Sequence, residues 1–200
     1  SNIKPGEVFD CPAYTQAATV NGSILMGATP NFIDVDPKTY TLNFSKVQNR
    51  VVYVASINGR TPVDYYHQIK QLQDRGHFVI EDAAQALGSW WNNKHVGTIG
   101  DVGVFSFGAP KIITTGQGGM IITNNKKIYE KCKSIKDFGR KLNTKQNMRS
   151  AFEHPSIGYN FKFTEFQAAV GIAQLRKLKK RIKIKKDLYS TYKNYLEDIP

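Results

Sequence analysis

Short runs of β-branched and aromatic residues alternate with amphipathic stretches along the first half of this chain. Glu7-Val8-Phe9-Asp10-Cys11-Pro12 reads as a short strand ended by proline. The small and apolar residues from Thr15 to Met26 predict a helix that Gly27 would stop. Asn31-Phe32-Ile33-Asp34-Val35 is a second strand, followed by a turn at Asp36-Pro37 and a short helix near Asn43 to Asn49. Val51-Val52-Tyr53-Val54-Ala55 has no polar alternation, the pattern of a strand covered on both faces. A turn at Gly59-Arg60-Thr61-Pro62 leads to a helix from Val63 to Arg75, with Gly76 placed to cap it. His77-Phe78-Val79-Ile80 is the next strand and runs into Glu81-Asp82.

This alternation predicts an α/β fold with a largely parallel sheet. In such folds ligands gather at the carboxyl ends of strands, which is where Asp82 falls. Farther on, Val102 to Phe107 and Gly119 to Thr123 read as strands, separated by an irregular loop from Gly108 to Gly118. Lys126 to Asp137 is helical. Phe163 to about Glu197 carries an apolar stripe through Phe166, Ala169, Val170, Ala173, Leu175 and Leu178, and predicts one long helix or two with a joint. No repeat or low-complexity linker interrupts the chain.

Composition narrows the class. Of 200 residues, 40% are hydrophobic and 22% charged, the balance of a globular protein rather than a disordered one. No apolar run approaches the ~20 residues that span a bilayer, and no signal-peptide pattern opens the chain. The two cysteines, Cys11 and Cys132, are far apart, which argues against a disulfide scaffold or a cysteine-based zinc site and fits a reducing cytoplasm. The net charge of +12 favours anionic partners. Much of it sits in the run from Arg176 to Lys186, which reads as a solvated helix face with apolar residues beneath. No nucleic-acid-binding signature accompanies that charge, so nucleic acid is not an expected partner.

Three features carry candidate chemistry: Glu81-Asp82-Ala83-Ala84-Gln85, Phe105-Ser106-Phe107, and Lys111 with the glycines after it. Singly, each has an ordinary explanation. An acidic residue ending a strand often caps the next helix, a serine between phenylalanines is usually a strand residue, and a lysine in a glycine-rich loop is usually solvated. Gly116-Gln117-Gly118-Gly119 lacks the spacing of a dinucleotide loop. Together the three fit pyridoxal 5'-phosphate (PLP). That cofactor needs a lysine to hold its aldehyde, a carboxylate to keep its ring nitrogen protonated, and hydroxyl or N–H donors around its phosphate.

The runs Ile80-Glu81-Asp82-Ala83-Ala84-Gln85-Ala86-Leu87-Gly88, Gly97 to Phe107 and Pro110 to Gly119 resemble the DegT/DnrJ/StrS nucleotide-sugar aminotransferases. So do Pro12-Ala13-Tyr14-Thr15, Phe32-Ile33-Asp34-Val35-Asp36 and Ile157 to Ala169. The likeness covers nearly the whole chain, in family order. It implies a fold type I PLP-transferase large domain over residues 1–162, a three-layer sandwich around a mostly parallel mixed sheet. A long helix over 163–200 would lead to a small C-terminal domain. The family's Ser-Gly-Thr phosphate loop would precede residue 1, so the chain is expected to be a piece trimmed at both ends.

The resemblance also assigns roles. Lys111 forms the Schiff base and then shuttles the proton, Asp82 pairs with the pyridinium nitrogen, Gln85 bonds the ring's phenolic oxygen, and Ser106 binds the phosphate. Asn160 reaches the phosphate of the neighbouring subunit's cofactor, which implies a homodimer. On the residues alone, Asn160 reads as a turn residue before a helix. The implied reaction is transamination of a nucleotide-linked keto-deoxy-sugar with L-glutamate as donor, in amino-sugar biosynthesis. Keto-sugar dehydratases, keto-inositol aminotransferases and non-catalytic relatives share the pattern; the dehydratases carry histidine where this chain has Lys111. Two positions depart from the family. Gln16 stands where an aromatic ring usually stacks on PLP, and Gln117 replaces the glutamate before the Gly-Gly pair.

Overall fold

The computed structural model describes residues 3–141 and 153–197. Residues 1–2, 142–152 and 198–200 lie outside it. In chain order the elements are β1 (Val8–Pro12), α1 (Ala17–Leu25), β2 (Thr29–Ile33), β3 (Val51–Ala55), α2 (Tyr65–Asp74), β4 (Phe78–Asp82), β5 (Trp90–Trp91), β6 (Lys94–His95), β7 (Val102–Ser106), β8 (Gly119–Ile122), α3 (Lys126–Lys136), α4 (Glu165–Leu175) and α5 (Leu178–Tyr195). Six strands form one sheet in the order β2-β1-β3-β4-β7-β8. All neighbours are parallel except β7 and β8, so the sheet is mixed as expected. Among the described residues no helix is long and apolar enough to cross a membrane.

Side chains alternate between the faces of a strand, and here each face has its own core. Val52, Val54 and Val79 pack with Tyr65, Ile69 and Leu72 of α2. Val51 and Ile80 pack with Phe9, Cys11 and Val20 of α1. The polar-free run in β3 is thus explained by cover on both sides. The same alternation sends the two consecutive carboxylates of β4 opposite ways, Glu81 toward α2 and Asp82 toward α1.

Glu81 is fully buried. Its Oε2 accepts hydrogen bonds from the Tyr65 hydroxyl at 2.7 Å and the Gly97 N–H at 2.8 Å; its Oε1 accepts from the Ile99 and Gly100 N–H groups, both at 2.6 Å. Burial, then the neighbouring Glu81 charge, raises the Tyr65 pKa well above the ordinary phenol value, so this ring stays a neutral donor. Asp10 does similar work on β1, two strands away in the sheet. Its Oδ1 accepts from the Asn31 and Asn49 side-chain amides, and its Oδ2 from the Gln48 and Asn49 N–H groups, at 2.6–2.7 Å.

Several local expectations shift. The second strand begins and ends earlier than expected, because its ladder with β1 pairs Val8 with Thr29 and Pro12 with Ile33. Val35 instead bridges to Leu42. The short helix near 43–49 is one 3-10 turn, Phe44–Lys46, whose Ser45 N–H is capped by Asn43 Oδ1. The long C-terminal helix is two, jointed at Arg176-Lys177. The first starts on a reciprocal capping box between Thr164 and Gln167. The β5–β6 hairpin was not expected; it turns on Asn92 at φ 49°, a conformation asparagine tolerates.

Two stability predictions follow from the buried carboxylates. Glu81→Ala orphans a phenol and three N–H groups and lowers the unfolding free energy by ~3–5 kcal/mol, read by thermal or denaturant unfolding. Burial pulls the Asp10 pKa upward, but the bonds from Asn31, Asn49 and Gln48 outweigh it and hold the pKa below the ordinary carboxylate value. The unfolded chain therefore takes up this proton first. The stabilisation is complete above ~pH 5 and fades as pH falls through ~3.9 toward the lower folded value. In acid-unfolding titrations, Asp10→Asn is less stable at neutral pH and shows a shallower pH dependence across that window.

Candidate active site

A cavity of about 520 Å³ opens at the carboxyl edge of the sheet, between the ends of β3, β4 and β7 and the start of α1. Thr15, Gln16, Ser56, Asp82, Gln85, Ser106 and Lys111 line it. Four of the five residues singled out in the sequence therefore meet at one place. Asp82 comes from the last position of β4, Gln85 from the turn after it, Ser106 from the last position of β7, and Lys111 from the loop between β7 and β8.

Asp82 is fixed from two sides. Its Oδ2 accepts from the Thr19 hydroxyl of α1 at 2.6 Å, and its Oδ1 from the Ala84 N–H at 3.1 Å. Thr15, one helical turn before Thr19, shares a 2.8 Å hydroxyl bond with it. Gln85 is oriented by its neighbour: its Oε1 accepts from the Asn58 N–H at 3.0 Å. That bond assigns the amide oxygen and leaves the NH₂ group as a donor with no partner among the described residues. Asn58 itself is held in the left-handed region at φ 55°. The Ser106 hydroxyl accepts a long 3.3 Å bond from the Gly108 N–H. The Lys111 amine has no acidic partner among the described residues.

The loop carrying Lys111 is closed at its neck. Phe107 N–H donates to the Gly118 carbonyl at 2.8 Å, and Thr115 N–H to the Phe107 carbonyl at 3.0 Å. Ile113 drops into the interior and is 3% exposed. Gly118 sits at φ 144°, and a Cβ there would strike the Phe163 ring. Helix α4 holds one limb, through Gln167 Nε2 to the Gln117 carbonyl at 3.0 Å, and α5 the other, through Arg181 Nη1 to the Ile112 carbonyl at 2.8 Å.

Gln16, at the position where the family usually carries a stacking aromatic ring, lines the cavity. Tyr14 does not take its place; it packs on Tyr40, with ring centroids 6.0 Å apart. Asn160 is not brought to the cavity. It is exposed and bridges to Asp137 beside the end of α3. Sequence reasoning missed Thr15, Thr19, Ser56, Asn58 and Arg181. The i, i+4 spacing of the two threonines was a readable signal, whereas Arg181 was hidden in a run of lysines. Cys11, beside Asp82 in the fold, is no rival nucleophile: burial, then the charges of Asp82 and Asp10, push its thiol up to about 12.

The donor set suits a flat heterocycle with a basic nitrogen at one end and an aldehyde at the other. An anchored carboxylate, an amide donor, a hydroxyl and an amine with no acidic partner among the described residues face one cavity. Comparison with known proteins agrees. A GDP-perosamine synthase from Escherichia coli O157:H7 is 34% identical over 203 residues, covering 98% of this chain and 54% of the synthase. A DegT DnrJ EryC1 StrS aminotransferase from Brucella abortus superposes with a TM-score of 0.86 at 28% identity, covering 98% of this chain and 54% of that one. An E. coli GDP-4-keto-6-deoxy-D-mannose-3-dehydratase with bound hydrated PLP shares the fold, with a TM-score of 0.88 at 24% identity over 98% and 55% of the two chains. The chain spans about half the length of the curated relatives it matches. The chain belongs to the DegT/DnrJ/EryC1/StrS aminotransferase family, a PLP-dependent family whose model matches it over residues 1–200.

Proposed function

We propose that the protein is a PLP-dependent aminotransferase that moves an amino group from L-glutamate to a nucleotide-linked keto-deoxy-sugar in amino-sugar biosynthesis. The observation that carries this reading is the meeting of Lys111, Asp82 and Gln85 on one cavity at the carboxyl edge of the sheet. A perosamine synthase among the relatives supports the substrate class. Residues 1–162 are the cofactor-bearing part, with the helices after 163 leading toward a second domain. The active form is a cytoplasmic homodimer in which Asn160, which is not among the residues lining its own cavity, reaches the phosphate of the neighbouring subunit's cofactor.

When bound, PLP supplies an aldehyde that captures primary amines and a ring that accepts electrons if its nitrogen stays protonated. Asp82, anchored by Thr19 and Ala84, places negative charge at that nitrogen. Gln85 would donate its NH₂ to the phenolic oxygen of the bound cofactor, and Ser106 its hydroxyl to the phosphate. Lys111 Nζ supplies the amine for the aldehyde. With the cofactor bound, the same nitrogen would serve as the base that moves the proton at the donor's α-carbon, general-base work that contributes ~10²–10⁴-fold. A histidine in this position would suit the dehydratase reaction; Lys111 favours transamination.

The full-length protein is expected to be yellow, to bleach in the visible on adding L-glutamate, and to recover on adding a keto-sugar nucleotide. Lys111→Ala abolishes the lysine-bound absorbance and lowers turnover ~10²–10⁴-fold without unfolding the protein. Asp82→Asn keeps the colour and loses turnover on a similar scale. Mixing Lys111→Ala with Asn160→Ala subunits tests the dimer, since hybrids regain one intact site only if Asn160 acts across the interface. A colourless wild type that ignores added PLP overturns the assignment.

A further inference from the structure

We infer that Arg181 is a positioning residue for Lys111, holding the Ile112 carbonyl one residue beyond it so that the amine keeps its aim into the cavity. The inference rests on the proposed role of Lys111. The loop from Gly108 to Gly118 is fixed at its neck and by the buried Ile113 side chain, and a tight turn joins Lys111 N–H to the Gly108 carbonyl at 3.1 Å. What remains is the peptide between Ile112 and Ile113. Among the described bonds its carbonyl is taken only by Arg181 Nη1, from a helix 69 residues away in sequence.

The guanidinium is otherwise uncommitted, with no carboxylate partner among the described residues. It is half-buried, while Lys177, Lys179, Lys180 and Lys183 around it are exposed. Leu178, Arg181 and Ile182 stand at i, i+3 and i+4, on one face of α5. On that face Ile182 rests against Gly88, which sits at φ 89° and where a Cβ would collide with it. Gly88 lies three residues beyond Gln85, and Ile112 one beyond Lys111. The helix is thus seated across the chain segments that carry both cavity donors, with a charged hydrogen bond as its contact to the lysine loop. Movement of the Ile112–Ile113 peptide carries the loop backbone at Lys111 with it and redirects that side chain, and a displacement of about 1 Å at a reacting group costs on the order of 10²-fold in rate.

The test uses full-length holoprotein. Arg181→Met keeps the apolar stem and deletes charge and donors, Arg181→Lys keeps one donor group, and Lys180→Met removes an exposed neighbouring charge. Thermal melts establish that each variant is folded. Arg181→Met is expected to slow single-turnover reaction with L-glutamate by ~10–100-fold, with KM changed less than about twofold and an altered visible band. Arg181→Lys recovers part of the rate, and Lys180→Met matches wild type. Hydrogen exchange of residues 108–118 rises in Arg181→Met, a readout that does not need enzymatic activity. A wild type without a cofactor band sinks the enzyme assignment, and the exchange result then decides the tether alone. Wild-type rate, band and exchange in Arg181→Met overturn the inference, as does an equal loss in Lys180→Met. Should Arg181→Met fail to fold, wild-type rate together with raised loop exchange in Arg181→Lys overturns it, and a slowed rate at unchanged KM supports it.

Discussion

Four hydrogen bonds converge on the Glu81 carboxylate, one from a helix on the sheet's face and three from the backbone that leads into the next strand. A charge in a dry interior is tolerable only when every lone pair is met. That demand fixes α2 through Tyr65 and folds Gly97 to Gly100 back against β4. It therefore sets where β7 begins. Since Asp82 ends β4 and Ser106 ends β7, the spacing of these two cavity groups is inherited from the neighbouring buried carboxylate. Two adjacent acidic residues thus divide the labour, one spent on architecture and one offered to a ligand, because a strand turns successive side chains to opposite faces.

The cavity is assembled from chain segments that share little sequence proximity. Thr19 anchors Asp82 from a helix more than sixty positions earlier, and Asn58 orients Gln85 from the 3-10 turn that follows β3. The lysine loop is braced by two helices that follow it by some fifty and seventy residues. Such bracing matches what an amine nucleophile requires. Its stem is flexible, so its direction must be imposed by the backbone that carries it and by whatever holds that backbone. Gly118 and Gly88 serve this assembly by letting Phe163 and Ile182 come closer than a side chain would allow.

Much of the fold was legible because its signals are local. The β-branched run of β3, the glycine stops after α1 and α2, and the strand–helix alternation each depend on residues within one element. Boundaries were less legible. The second strand shifted because its limits follow pairing with β1, and the two-residue hairpin at Trp90–His95 is too short to show a period. Arg181 passed as one charge among many, since exposure and partnership leave no trace in composition.

The sequence by itself determined the α/β class, the family to which the chain belongs, and the identity of Asp82, Gln85, Ser106 and Lys111 as candidates, because motif residues and periodicity are written in order along the chain. Only the tertiary structure decided that those four share a cavity, that Asn160 does not join them within this chain, and that Tyr14 leaves the Gln16 position without a ring. Those are statements about distance between remote segments. They depend on how helices and strands pack, a free-energy balance summed over the whole core, which no short stretch of residues carries alone.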